Sequence, residues 1–269
     1  MLRAEKAKFM AQNVKTPRDS AGEAAFLASY DPSQYPRPSV AVDLVLATVY
    51  EREMRVLLVR RAEHPFRGAW ALPGGFVGPE ESLDEAGERV LRTKAGLREA
   101  FLEQLYTFGQ PARDPRTRVI SVSYLALVAP ERLRSALGEG DHDKILARVR
   151  IAWEGEQGGP AQALDSAGTT LTLAFDHTWI LGLAVKRLRG KLAYTPIGYE
   201  LLGREFTLRQ LQEVHETILG ERLNKDSFRR RMLATGDLIA TGKMEKEVGH
   251  RPAEMYRVGK TAMKRREAQ

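Results

Sequence analysis

The sequence predicts an α/β sandwich with mixed sheets, followed by a small C-terminal domain in winged-helix order. Three observations predict it. Runs rich in Val, Leu and Thr alternate with turns through the first two thirds of the chain. One helical stretch, residues 82–93, follows a tight turn at Pro73, Gly74 and Gly75. Beyond Thr195 and Pro196 the order becomes helix, short turn, helix and β-ribbon.

Each element has a local reason. Residues 1–29 are polar and read as a mobile arm. Residues 40–50 and 54–61 read as two strands around a turn at Glu51, Arg52 and Glu53. Residues 82–93 place Leu83, Ala86 and Val90 on one helical face. Residues 98–108, 118–128, 146–154 and 170–175 read as further strands, the last two joined by a loop around Gly158, Gly159 and Pro160. Asp176 is a plausible N-cap for a helix to about Leu188.

In the second domain Thr207 and Gln210 have capping-box spacing. Leu208, Leu211, Val214 and Ile218 form one helical stripe, which Gly220 ends. Asn224 caps the next helix, with Leu223 and Phe228 at hydrophobic-staple spacing. Residues 238–241 and 254–258 read as a β-ribbon around a Gly-rich tip.

Composition narrows the function classes. An apolar fraction of 43% over 269 residues supports two ordinary cores rather than a disordered chain. No apolar run approaches the roughly 18 residues of a membrane span. The N-terminus lacks a signal-peptide apolar region, and there is no Cys for disulfides or thiolate chemistry. The expectation is a cytoplasmic, nucleoid-associated protein. Residues 191–269 hold 16 Lys and Arg against 11 Asp and Glu, and the rest of the chain 26 against 24, of 42 against 35 in all. A basic C-terminal third fits a polyanionic partner, or a solvated surface.

Residues 70–97, WALPGGFVGPEESLDEAGERVLRTKAGL, resemble a Nudix box, with Gly75, Glu81, Arg89, Leu91, Gly96 and Leu97 in register. The box's three Glu positions after the Arg hold Val90, Thr93 and Lys94. Together with YPRPSVAVD (residues 35–43), LAFDH (residues 173–177) and the block 206–233, the chain resembles the Nudix-related transcriptional regulators of NAD metabolism. The resemblance runs from about Tyr30 to Val258. It implies a Nudix-like α-β-α sandwich over residues 30–192, a winged helix-turn-helix over 193–260 and a basic tail over 261–269. It also implies a catalytically inactive Nudix domain that senses ADP-ribose or a related nucleotide, and a repressor of NAD biosynthesis or salvage genes acting as a homodimer on operator DNA. Two alternatives remain. One is an active Mg²⁺-dependent ADP-ribose pyrophosphatase fused to a DNA-binding domain, with Glu80, Asp84, Glu85 or Glu88 as substitute ligands; the other is a Nudix-type regulator sensing a sugar metabolite.

The candidate ligand residues are Arg60, Arg61, Arg67, Trp70, Gly74, Gly75 and Glu81. Gly74 and Gly75 let backbone approach a ligand. Arg guanidinium forks suit phosphate, although an isolated Arg is as readily a solvated charge. Trp70 either stacks on a base or packs in the core, and Glu81 either meets ligand or caps the helix. Arg89 fits a structural ion pair. No catalytic residue, resident cofactor or metal is expected, and the five His, His64 and His177 included, show no metal-ligand spacing. His177 is read as packing or hydrogen-bonding locally.

The candidate DNA contacts are Lys225, Ser227, Arg229, Arg230, Arg231 and Arg251. On a helical wheel Phe228, Met232 and Leu233 lie on one side and Ser227, Arg230, Arg231 and Ala234 on the other, whereas Lys225 and Arg229 fall towards the packed side. Arg251 sits at the wing tip, and Lys260, Lys264, Arg265 and Arg266 form an electrostatic arm.

Overall fold

A computed structural model describes residues 20–138, 142–155, 157–246, 249 and 251–259. The chain divides into two compact units, residues 1–37 and 38–269. In the first, the stretch expected as a polar arm contains a helix, α1 (Ser20–Ser29). Its sequence, SAGEAAFLAS, is rich in Ala, the strongest helix former, which the polar reading overlooked. The rest of the expected arm, residues 1–19, lies outside the described residues. A turn at Pro32–Gln34 follows, where the Asp31 carboxylate accepts from the Ser33 N–H at 2.8 Å.

The second unit is built on β1 (Ser39–Tyr50), which pairs in parallel with β6 (Val119–Leu127) on one side. On its other side β1 changes partner along its length. Its C-terminal half pairs with β2 (Glu53–Arg60) and its N-terminal half with β4 (Gly74–Phe76). The nine-stranded sheet runs β5 (Phe101–Phe108), β6, β1, β2, β7 (Lys144–Ile151), β8 (Ala161–Leu164), β9 (Thr170–Leu171), with β3 (Trp70–Ala71) on β2. Among the described residues β1 and β6 are the strands that pair in parallel, the other strand pairs being antiparallel, and a single parallel bridge joins Trp70 to Leu173.

Alternation along β1 creates two layers. Val42, Leu44 and Leu46 join the core beneath α2 (Leu83–Ala95) and α3 (Pro130–Leu137). Val45, Ala47 and Val49 join the core beneath α4 (His177–Leu192). The strands β3, β4 and β8 and the helix α3 were not expected. Each is too short to show a period of its own. The expected strand 170–175 stops at Leu171, and Phe175 takes a φ of 52°.

The C-terminal elements α5 (Leu208–Leu219), α6 (Lys225–Ala234), β11 (Leu238–Met244) and β12 (Glu254–Val258) follow the predicted order, and a two-residue strand that was not expected, β10 (Phe206–Thr207), precedes them and pairs with β12. Thr207 and Gln210 form both capping-box bonds, and Gly220 closes α5 at a φ of 77°. Asn224 Oδ1 accepts from the Ser227 N–H at 3.0 Å. Leu223 and Phe228 share a core cluster with Phe206, Leu211 and Tyr256. On its other flank α5 sends Val214 and Ile218 into the same core as α4.

Candidate functional site

The Pro73–Gly74–Gly75 turn opens a cavity of about 480 Å³. Its walls come from β1, the end of β2, β4, the β5–β6 loop, the last turn of α2 and the start of α4. Gly74 is required by the floor. A Cβ there would stand 2.3 Å from Asp43 Oδ1 and 2.8 Å from the Val42 carbonyl. Gly75 has more room, with Val90 Cγ2 at 3.5 Å from the equivalent position.

The floor is a buried polar network. Arg113, with a side chain 4% exposed, grips Asp176 through Nε at 3.0 Å and Nη2 at 2.7 Å, and lies 3.5 Å from Asp43 Oδ2. The Ser121 hydroxyl donates to Asp43 as well. Asp176 stands at the N-cap position of α4, but its carboxylate takes Arg113 instead of a helix N–H. His177 Nδ1 accepts from the Leu72 N–H at 3.0 Å, so the proton of the neutral ring resides on Nε2, 3.7 Å from Asp43 Oδ1. Burial pushes the His177 pKa down, which keeps the ring neutral. Its partner is 105 residues away, so the expectation of a local bond is corrected.

The walls are cationic and aromatic. Arg61 donates to the Pro65 carbonyl at 2.7 Å and lies over the Phe175 ring. Desolvation lowers the Arg61 pKa. Arg116 grips the buried Asp114 and lies over Phe76 and Phe175. The Arg116 bond holds the Asp114 carboxyl below the usual carboxylate range. The lining residues include five basic side chains, Arg60, Arg61, Lys94, Arg113 and Arg116, against three acidic, Asp43, Glu63 and Asp114, a balance that favours an anionic guest.

Of the candidate ligand residues, Arg60, Arg61, Gly74 and Gly75 line this cavity, whereas Arg67, Trp70 and Glu81 do not. Arg67 is exposed on the loop after Phe66. Trp70 pairs with Arg60 across β3 and β2 and packs on the core, which takes its ring from the cavity. Glu81 accepts from Arg89 Nε at 2.6 Å and from the Gly78 N–H at 2.9 Å, and these bonds pull its pKa down to about 2. Arg89 also donates to the Phe76 carbonyl at 2.8 Å, tying α2 to β4. Sequence reasoning missed Arg113, Asp114, Arg116 and Phe175. The run Arg113-Asp-Pro-Arg116 between two strands and the segment 173–177 were the available signals.

Val90, Thr93 and Lys94 have separate fates. Val90 is buried in the α2 core. The Thr93 hydroxyl donates to the Arg89 carbonyl at 2.9 Å within the helix. Lys94 lines the cavity. The substitute acids stand elsewhere: Asp84 accepts from the Tyr124 hydroxyl at 2.9 Å, Glu85 closes the capping box with Ser82, and neither Glu80 nor Glu88 lines the cavity. Mg²⁺ is held by near-octahedral oxygens from carboxylates, water and substrate phosphate. This donor set does not fit it.

A second surface lies on α6. Phe228 and Met232 are its buried residues, and Ser227, Arg229, Arg230 and Arg231 are exposed. Arg230 projects opposite the buried pair, with Asp226 and Ala234 beside it on that face. Arg231 is turned to one flank, over the Phe228 ring at 5.5 Å. Lys225 and Arg229, assigned to the packed side on the wheel, are exposed and line a groove of about 500 Å³ between α5, α6 and the wing, together with Arg222 and Arg251. Leu233, also placed on the packed side, is exposed, so packing through two residues leaves both flanks of this short helix open, which corrects the wheel. The tail cations Lys260, Lys264, Arg265 and Arg266 lie outside the described residues.

Comparison with known proteins agrees with this arrangement. Residues 198–258 match the NrtR DNA-binding winged helix domain and residues 40–153 the NUDIX domain. The chain is 36% identical over 237 residues to the ADPR responsive transcriptional repressor NtrR of Acinetobacter baylyi, covering 87% of this chain and 88% of that protein. It superposes on Shewanella oneidensis NrtR crystallised with a 27mer DNA with a TM-score of 0.69 at 34% identity, covering 83% of this chain and 95% of that one. Over 101 residues it is 37% identical to an ADP-ribose pyrophosphatase of Methanocaldococcus jannaschii, covering 38% of this chain and 57% of that enzyme.

Proposed function

The chain belongs to the NrtR family of Nudix-related transcriptional regulators, and from that premise we propose that it is a repressor that senses ADP-ribose and does not hydrolyse it. The observation that carries the reading is a cation-lined cavity at the Nudix turn that no carboxylate of α2 reaches. Residues 30–192 hold the effector in this reading, and 193–260 hold operator DNA. Arg230 is the foremost base reader, with Ser227 and Arg231 beside it. Lys225, Arg229 and Arg251 serve the backbone from the groove side. A homodimer matches a two-fold operator. NAD biosynthesis or salvage genes are the expected targets, and the cytoplasm the expected compartment.

Fluorescence anisotropy on the promoter next to the gene tests this. Binding falls steeply with salt, because each phosphate neutralised releases counterions. Arg230→Ala costs about 1–3 kcal/mol on that promoter and less on random duplex. ADP-ribose shifts the affinity by the equivalent of about 1–3 kcal/mol. Equal binding to promoter and random duplex overturns the gene target, and unchanged binding by Arg230→Ala overturns the recognition helix.

The similarity to an ADP-ribose pyrophosphatase favours one rival, an active enzyme. It requires robust release of AMP from ADP-ribose by the unmodified chain with Mg²⁺. The sensor reading expects none.

A further inference from the structure

Where the Nudix box places metal-binding glutamates this chain presents a cation to its cavity. Lys94 stands on the last turn of α2 and lines the cavity beside the Gly74–Gly75 turn. The neighbouring box positions offer no replacement donor, since Val90 is buried among apolar residues and Thr93 is hydrogen-bonded within the helix. The cavity's own acids are largely engaged: Asp43 by Ser121 and Arg113, and Asp114 by Arg116. Most of its arginines are engaged too: Arg61 by the Pro65 carbonyl, Arg113 by Asp176 and Arg116 by Asp114. Among the described residues, Lys94 and Arg60 are the lining cations whose side chains have no ion pair or hydrogen bond.

We propose that Lys94 replaces the metal ion of the Nudix box. Its ammonium contacts the diphosphate of the bound nucleotide, so that binding requires no divalent cation. An ammonium is a compact charge with three donors, suited to phosphate oxygens as a point contact. It attracts the diphosphate without supplying a metal-bound water, so the same substitution that retains the anion removes the means of cutting it. The inference rests on reading this cavity as the nucleotide site.

The test uses the full chain in isothermal titration calorimetry, with ADP-ribose, inorganic pyrophosphate and adenosine, each in EDTA and in Mg²⁺. ADP-ribose and pyrophosphate bind in EDTA, and Mg²⁺ leaves their affinity unchanged. Lys94→Gln weakens both roughly tenfold or more, the scale of a lost charge-assisted bond. Lys94→Arg retains most of the affinity, and adenosine binding is the same in the parent and Lys94→Gln. Lys94 is exposed, so these variants keep the fold, which thermal melting verifies. Binding that needs Mg²⁺, or Lys94→Gln binding ADP-ribose as tightly as the parent, overturns the proposal. If pyrophosphate binds through Lys94 while ADP-ribose does not bind, the effector reading fails and the Lys94 site stands. If neither binds, both fail.

Discussion

His215 illustrates how one residue sets a pH limit. It lies in α5, edge-on to the Phe228 ring at 5.1 Å, with Gly198 against its Nε2 and Arg231 close by. Burial first, and the positive Arg231 second, hold its pKa down to about 4. The unfolded chain, with a value near 6.5, therefore takes up this proton first as pH falls. The stability of the neutral packing is complete above about pH 6.5 and is lost progressively down to about 4, a difference of about 3 kcal/mol. His215→Leu should flatten the fall of Tm between pH 6.5 and 4 relative to the parent. Parallel curves for the two proteins would contradict the assignment. None of this was legible in the sequence, where a single His on a helix gives no sign of what covers it.

At the scale of elements, α4 joins the cavity to the DNA-binding half. Its first residue, His177, is fixed on the cavity floor, and near its other end the buried Arg189 donates to the Ile218 carbonyl at 2.9 Å and the Gly155 carbonyl at 3.0 Å. The middle of the helix is pressed against the 159–161 segment, and a Cβ on Gly182 would stand 1.8 Å from the Gly159 carbonyl oxygen. A backbone atom cannot swing aside as a side chain can. Gly182→Ala should therefore cost about 3 kcal/mol or more, read as a lower urea midpoint at unchanged m-value. An unshifted midpoint would show that the contact relaxes freely. The sequence predicted this helix and its start, but not its role. Its Gly looks like a weak point in a helix until the neighbouring backbone is known.

Across the whole molecule the two functional halves share one core. Val214 and Ile218 of α5 sit in the cluster that holds Ile180, Val185 and Leu188 of α4. Arg52, at the β1–β2 turn, adds ion pairs to Glu213 at 3.2 Å and Glu216 at 2.9 Å. These pairs are exposed on the Arg side and contribute under about 1 kcal/mol each, so the apolar contact dominates. Residues 38–259 should then unfold as one cooperative transition, with calorimetric and van't Hoff enthalpies in agreement. Two resolved transitions in differential scanning calorimetry would show that the halves melt independently. Arg52→Ala should leave the transition single and lower its midpoint only slightly.

By itself the sequence determined what depends on near neighbours. The period of the α5 stripe, the caps at Thr207, Asn224 and Gly220 and the run of Val90, Thr93 and Lys94 after Arg89 are all local, readable within a few residues. The tertiary structure decided which charged groups meet. Asp43 and Arg113 are 70 residues apart, and Leu72 and His177 105 apart, yet together they make one cavity floor. It also placed Trp70 and Glu81 outside the cavity, because strand pairing holds the first and Arg89 engages the second. Local propensity carries no information about such partners, which are chosen by the crossing of β1 with distant strands and by the packing of α4 across them.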